Sequence, residues 1–574
     1  MKKVLLLISA LALSGTMNAQ SDKRDAVVNV EKGYKPIELE VGKKNFTPST
    51  DRNIQVQPST VEYSKEGIVY KGFTSDMNLK DALPRQERMF PGYARLGYGV
   101  TNDIDAKLAY RFGVGKNGAM NVYTALDGFK CNIGSEENKW NSRFYNNSTG
   151  LGYTHSFKRL NINADAKFSN NVFNYHCTDT ARALTNKQNS RNYMVTFGGI
   201  SKLSGPFSYN FKANYEYTAR SYTAGVKNGI GENHFGFGGN ISYNIHESKR
   251  WKEINEKYSN YNLYGPIISL ISLDMRFEGF MYNPTLRNGY KGYEDYFSID
   301  FDPRVTLTLG SWNVNVGLNM NFVTKGAMVC AVAPNISTEK NLHKNVTVYG
   351  SITGGREHNN LSRLEKLTPY WGIADSTATR LKPSYEVVDI NIGSRLTFKN
   401  FSADIHAGYA YTMDDMLQVF NPAIADSVSM IYTDLKQANT HNAHVAARLG
   451  YNIRSWVRLA ADVRYDHWSC DNKDLLIMKP EFTANIVAEG RIDHINKIEF
   501  ITLQLGYNYT RYTKGETVER ITDKHDLFAR VSCQITNKFG AYIQGNNLLN
   551  NKHYEYAGYL TRGIRGEIGA TLNF

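Results

Sequence analysis

The chain has 574 residues, of which 12% are aromatic and 21% are charged, a composition that excludes an intrinsically disordered protein. Its formal charge of +13 is spread along the sequence and is not gathered into basic runs, so we expect no nucleic-acid partner. Past residue 20 no run of about 18 apolar residues occurs, which excludes a membrane protein built from helices.

The first 19 residues have the layout of a secretory signal peptide. Lys2 and Lys3 precede an apolar segment, Val4–Leu13, and Ala19 stands at the expected cleavage position. The apolar segment is too short to span a bilayer, so the sequence predicts an exported protein.

Residues 20–91 are rich in proline and charge and are predicted to be extended or irregular. Three roles remain open for this N-terminal segment. It is a plain tether, it adds a strand to a periplasmic protein partner, or it folds into the lumen of the barrel predicted below and narrows it.

From residue 92 to the end, apolar and polar residues alternate, which is the pattern of β-strands with one apolar and one polar face. In the last segment Ile564, Ile568 and Leu572 fall on one face, while Arg565 and Glu567 fall on the other. The same alternation recurs in 160–168, 312–322 and 501–510. The sequence therefore predicts an all-β protein.

Strand length and connection length separate a membrane barrel from a soluble sandwich. Several alternating segments have 10 to 13 residues, longer than the roughly 5 to 6 of a soluble strand and close to the roughly 9 to 11 of a tilted membrane strand. Short turns are expected at 115–118, 157–159, 204–206, 310–311, 399–400, 454–455, 493–496 and 537–538. Long polar loops are expected at 128–139, 170–190, 219–231, 283–292, 358–382, 413–438, 468–478, 512–523 and 549–561.

We therefore predict a closed antiparallel transmembrane β-barrel of about 22 strands, within a range of about 18 to 22, over residues 92–574. Apolar faces would contact outer-membrane lipid and polar faces would line the lumen. The lumen-facing residues proposed for solute transport are Asp105, Lys107, Arg111, Arg458, Asp462 and Arg464. Residues suited to an aromatic girdle at the membrane interface are Tyr451, Tyr465, Tyr507 and Tyr509.

Catalytic and metal-binding motifs are absent from the sequence, so we expect no enzymatic activity, no cofactor and no metal. His441 and His444 are three residues apart, which places them on opposite faces of a strand. The five cysteines cannot all pair. A disulfide between Cys131 and Cys177, in successive loops on one side of the barrel, is one open arrangement.

The stretch Asn547–Tyr554, followed by Arg562-Gly563 and a last strand that ends in Phe574, resembles the end of TonB-dependent receptors. The resemblance implies a 22-stranded barrel and, in that family, a plug domain of roughly 130 to 150 residues inside it. Only 72 residues, 20–91, precede the first predicted strand, so we expect no full plug. Asp25–Val30 resembles the short segment with which such receptors engage TonB.

The sequence thus predicts a plug-less barrel in the outer membrane of a Gram-negative bacterium, where it transports or binds an unknown small solute. A barrel of this size without a plug would leak, so loops, the N-terminal segment or a separate protein must obstruct it. Loops 358–382 and 413–438 are expected to set access. The alternative is a structural or assembly protein that anchors a periplasmic or surface complex.

Overall fold

The computed structural model of the protein describes residues 90–134, 139–177, 187–202, 205–221, 229–257, 268–284, 295–324, 329–372, 382–420, 430–454, 456–495 and 497–574. The predicted signal peptide lies outside the described residues. So do residues 20–89, which hold nearly all of the predicted N-terminal segment.

The described residues form a closed antiparallel β-barrel of 22 strands, which confirms the predicted fold class. Each barrel strand pairs with the next one along the chain. The strands are β1 (Gly92–Gly99), β2 (Ile104–Val114), β3 (Gly118–Gly134), β4 (Lys139–Ser156), β5 (Leu160–Asn174), β6 (Lys187–Ser201), β7 (Phe207–Arg220), β8 (Ile230–Asn244), β9 (Ile268–Pro284), β10 (Tyr296–Leu309), β11 (Trp312–Val323), β12 (Cys330–His343), β13 (Val346–Glu357), β14 (Ser384–Thr397), β15 (Phe401–Phe420), β16 (Thr433–Arg454), β17 (Val457–Ser469), β18 (Pro480–Ile495), β19 (Ile498–Tyr512), β20 (Lys524–Gln534), β21 (Phe539–Asn546) and β22 (Arg565–Asn573).

The first and last strands close the ring. β1 pairs with β22, with Tyr93 opposite Asn573 at one end of the seam. Two backbone hydrogen bonds between Gly92 and Phe574, 2.8 and 3.0 Å long, extend the seam further. Because lipid offers no partner to backbone N–H and C=O groups, strands in a membrane require such a sheet without an open edge.

The outer face of the ring is apolar. Ile568 of β22 is 66% exposed and Leu505 of β19 is 52% exposed, whereas their polar neighbours point into the barrel. In β9 and β10, Phe277, Phe297 and Ile299 are exposed in the same way. An apolar surface this extensive is stable in lipid and would aggregate in water.

The tyrosines predicted for an aromatic girdle lie on this outer face. Tyr451 and Tyr465 are exposed there. Tyr507 and Tyr509 are half-buried, and the hydroxyl of Tyr507 lies 2.8 Å from Nδ1 of His525. Their position at the membrane interface stays a prediction.

The two ends of the barrel differ in their connections, as predicted. One end, which we call the short-turn end, has tight turns such as Gly310–Ser311, where Gly310 adopts a φ of +62° that favours glycine. The other end, which we call the long-loop end, holds the connections 175–186, 358–383, 421–432 and 547–564.

One connection at the short-turn end was not predicted. Residues 245–267, between β8 and β9, contain the helix α1 (Lys249–Lys257). The second helix among the described residues, α2 (Leu361–Leu367), belongs to the long-loop end. Neither of these helices is long or apolar enough to cross a membrane.

Two stretches predicted as loops are largely strand. β3 and β4 continue through most of 128–139, and β15 and β16 continue through much of 413–438. Beyond the lipid both faces of a strand meet water, so the alternation of apolar and polar residues disappears while the backbone pairing persists. The loop prediction was wrong there for this reason.

Candidate functional site

The first predicted set of transport residues lies on the inner face of β2. Asp105, Lys107 and Arg111 alternate with Leu108, which is exposed on the outer face. Asp105 forms an ion pair with Arg95 of the neighbouring strand β1. This contact within the wall offsets the charge that Asp105 would otherwise present to the lumen.

The second predicted set, Arg458, Asp462 and Arg464, lies on the inner face of β17. Nη2 of Arg464 is 2.8 Å from Oδ1 of Asp466. Nη2 of Arg448 is 3.3 Å from Oδ2 of Asp462. Six strands, β18 to β22 and β1, separate β17 from β2. The structure therefore does not bring the two predicted sets together.

The predicted disulfide is not formed in the structure, because Cys131 is a free thiol. The backbone of Cys177 instead belongs to a short strand, His176–Cys177, that pairs with Met430–Ile431. That pairing joins two different long loops.

Four long loops pack together at the long-loop end. The segments concerned, which we call the mouth assembly, are Tyr175–Cys177, Leu361–Gly372, Met430–Tyr432 and Tyr554–Leu560. Their centre is apolar and buried. The rings of Tyr370 and Tyr559 stack with centroids 3.7 Å apart, and the Tyr559 hydroxyl donates a 2.7 Å hydrogen bond to the carbonyl of Ile431.

Arg220, at the end of β7, ties the mouth assembly to the barrel wall. Its side chain is 1% exposed, and its Nε lies 3.0 Å from Oε1 of Glu365 in α2. Its Nη1 donates a 2.9 Å hydrogen bond to the carbonyl of Trp371, whose ring lies 4.5 Å below the guanidinium. Tyr175 donates to the same carbonyl at 2.9 Å. One buried cation thus joins two loops and a strand.

The loops of the mouth assembly are rooted on opposite sides of the ring. His176 pairs with Ile431, yet one lies between β5 and β6 and the other between β15 and β16, ten strands away in a ring of 22. Strands about 4.8 Å apart and tilted by about 40° give such a ring a diameter of about 44 Å. The two loops can meet only by reaching over the opening.

Acid should loosen the mouth assembly. Burial lowers the pKa of His176 from 6.5 to about 4. The ring is packed between Trp140, 5.1 Å away, and Tyr559, 4.3 Å away. Between pH 6.5 and pH 4 an opened loop therefore takes up a proton that the closed loop excludes. The free energy that favours the closed loop is greatest above pH 6.5. It should fall by at most about 3 kcal/mol as the pH is lowered from 6.5 to 4.

Hydrogen exchange tests this expectation. After correction for the intrinsic effect of pH, peptides that cover residues 175–177 should exchange faster at pH 5 than at pH 7.5. His176→Phe keeps an aromatic ring without a titrating group, so it should reduce the difference. His553 contributes in the same window, because burial lowers its pKa to about 4 as well. Equal protection of the wild-type peptides at the two pH values would contradict the expectation.

The residues that resemble the family signature form a compact turn after β21. Asn547 and Asn550 adopt positive φ values of +49° and +52°, which asparagine tolerates better than most residues. The Asn547 side chain donates 2.9 Å hydrogen bonds to the carbonyls of Asn551 and Arg562. The signature thus fixes the base of the loop that supplies Tyr559.

Sequence reasoning missed a group of acidic and histidine side chains on the inner wall near α2. The Oε2 atom of Glu232 accepts a 2.7 Å hydrogen bond from the backbone N–H of Leu361, and Ser362 donates one of 2.7 Å to Oε1 of Glu216. His234 lies 3.6 Å from Oε2 of Glu216. Alternation alone places Glu232 and His234 on one face, but their partners depend on strand register, which the sequence does not display.

Comparison with known proteins finds likeness in structure only. No family model and no curated protein matches the sequence. The FrpB iron transporter from Neisseria meningitidis has a TM-score of 0.62 at 10% identity, with 86% of this chain and 83% of that chain covered. A mutant ferric enterobactin receptor (PfeA) from Pseudomonas aeruginosa gives 0.61 at 10%, with 84% and 80% covered. The siderophore receptor PirA from Acinetobacter baumannii gives 0.60 at 9%, with 84% and 80% covered.

At these identities the likeness establishes the fold alone. The chain has a closed 22-stranded barrel similar to the barrels of these proteins, and two of its long loops pair at one end.

Proposed function

We propose that the protein is an outer-membrane transporter similar to TonB-dependent receptors, in which the mouth assembly, in place of a full plug domain, controls the entry of a small solute. The contact between loops rooted ten strands apart carries the proposal, because such loops obstruct the opening unless they part. The fold shared with iron and siderophore receptors supports it.

The polar inner wall is suited to the passage of a hydrophilic solute. Lys107, Arg111 and Arg458 lie on it, and charges that line a pore favour solutes of the opposite charge. We propose that these side chains bias which solutes pass. We further propose that residues 20–91 contact a periplasmic protein on the other side of the membrane.

An engineered disulfide that can be formed and reduced tests the proposal. His176 and Ile431 are paired across the two short strands, so the double variant H176C/I431C, in a chain that also carries C177S, can be cross-linked by oxidation. Reconstituted into liposomes, the oxidised protein should pass small sugars or ions at least tenfold more slowly than the reduced protein. Reductant should restore the flux, and the variants H176C and I431C, each made alone in the C177S chain, should not respond to oxidation.

Two results would contradict the proposal. One is equal flux in the oxidised and reduced forms when mass spectrometry shows that the disulfide has formed. The other is a reduced barrel that neither passes nor binds any hydrophilic solute, which would favour an anchoring role.

A further inference from the structure

A cluster of metal-ligating side chains lies on the inner wall beneath α2. Glu278 of β9, Asp300 of β10 and His358, directly after β13, each offer one ligand atom, and these atoms all lie within 4.8 Å of one another. All three side chains are largely shielded from solvent. Glu278 and Asp300 face inward, because Phe277 and Ile299 beside them are exposed on the outer face.

Two of the ligand atoms have the spacing of two ligands on one zinc ion. Nε2 of His358 is 3.3 Å from Oε2 of Glu278. Zinc–nitrogen and zinc–oxygen bonds of about 2.0 to 2.1 Å give a tetrahedral ligand–ligand distance of about 3.3 Å. Asp300, whose ligand atom lies within 4.8 Å of the other two, would need to approach by at most about 1.5 Å to complete a three-ligand site of the kind that zinc forms with histidine and carboxylates.

The surroundings orient these ligands. Nδ1 of His358 lies 3.2 Å from the hydroxyl of Tyr296, so a proton on Nδ1 leaves the lone pair of Nε2 directed at Glu278. Asn321 donates a hydrogen bond to Asp300 from the next strand. In this tautomer Nε2 and the carboxylate oxygen are both acceptors, and a cation between them would satisfy both.

A second observation points to the same position. His234 is 8% exposed, and its Nε2 is directed at Oε1 of Glu278 from a distance of 3.4 Å. Neither ring nitrogen of His234 makes a hydrogen bond of good geometry in the structure. Its ring is stacked parallel to that of Phe280 at 4.4 Å, which keeps it aimed at Glu278.

The charges of the wall also favour a divalent cation. Four carboxylates meet here, and they are Glu216, Glu232, Glu278 and Asp300. The charge of Arg276 acts on Glu278, and the charge of Arg356 acts on Asp300. The four carboxylates outnumber these two guanidinium groups by two, an excess of negative charge that one divalent ion would balance.

We propose that Glu278, Asp300 and His358 bind one Zn²⁺ ion, with His234 directed at the same group from above. The sequence predicts no metal site, because the ligands come from three separate segments. This inference does not rest on the proposed transport function, since an ion here would join the barrel wall to His358 at the start of the loop that contains α2.

Competition with a chromophoric zinc indicator tests the site on the full-length protein in detergent, after removal of metal with EDTA. The wild-type protein should bind one zinc per chain. Glu278→Gln and His358→Asn should each weaken binding roughly 100-fold, because each removes a ligand. Glu489→Gln, a matched interior carboxylate on β18, should bind as the wild type does. Persistence of the folded band in unheated electrophoresis confirms that each variant keeps its barrel.

The variant His358→Cys keeps a zinc ligand and gives a signature that a purely structural role would not. X-ray absorption of the zinc-loaded wild type should show nitrogen and oxygen ligands only, and H358C should add one sulfur at about 2.3 Å. The proposal is overturned if the wild type binds no zinc, if folded E278Q and H358N bind as tightly as the wild type, or if folded H358C shows no sulfur ligand.

Discussion

Arg220→Ala should open the long-loop end of the barrel and raise its conductance in planar bilayers at least tenfold. The guanidinium is the buried link between β7 and the loop of α2, and its removal leaves Glu365 without its cation. Burial already raises the pKa of Glu365, and Arg220 opposes that shift. Breaking a buried ion pair by removing one partner costs roughly 3 to 5 kcal/mol, enough to shift a closed assembly to open forms.

Two controls separate this effect from general damage. Arg448→Ala removes an inner-wall arginine whose side chain is 69% exposed, and its conductance should match that of the wild type. R220A/E365Q removes the uncompensated carboxylate as well, so its conductance should lie between that of R220A and that of the wild type. A conductance for R220A equal to that of the wild type would show that Arg220 does not hold the mouth assembly shut.

Leu505→Arg should destabilise the barrel by roughly 2 to 4 kcal/mol, the cost of a cation on the lipid face near the middle of the bilayer. Leu505 lies within β19 and is 52% exposed on the apolar outer face. Denaturant titration of the protein folded into lipid vesicles measures the free energy of unfolding.

Gln504→Arg is the matched control, because it introduces the same side chain one residue away on the inner face. There Gln504 lies opposite Glu489 of β18 and Arg530 of β20, so the new charge meets water and two neighbours of opposite sign, whose effects largely cancel. We expect a change below about 1 kcal/mol, as for most solvated positions. Equal losses for L505R and Q504R would contradict the assignment of β19's outer face to lipid.

The number of strands, and the side chains of each strand that face the lumen, were predictable because both follow from the local alternation of apolar and polar residues. Asp105 and Arg458 were placed on the inner wall in this way, and both lie there. The lipid imposes that alternation on each strand independently, so no knowledge of register is needed. Where lipid ends, as in 128–139, the pattern ends too and the prediction fails.

The mouth assembly and the acidic wall could not be predicted in the same way. Arg220 meets Glu365 only because a loop folds back over the opening, and the two residues are 145 positions apart. His358 meets Glu278 only through the order of strands around the ring. Such contacts depend on long-range geometry, whereas alternation reports only on immediate neighbours.

The seam between β1 and β22 has a consequence for biogenesis. Gly92 and Phe574 exchange two backbone hydrogen bonds, and Tyr93 lies opposite Asn573, although nearly the whole barrel sequence separates these residues. Until that pairing forms, two unpaired edges stay open to cross-pairing between chains, and contacts this distant in sequence form slowly. Nascent chains therefore need protection by chaperones until the last strand arrives, and a truncation that removes Arg565–Asn573 should be degraded by periplasmic proteases.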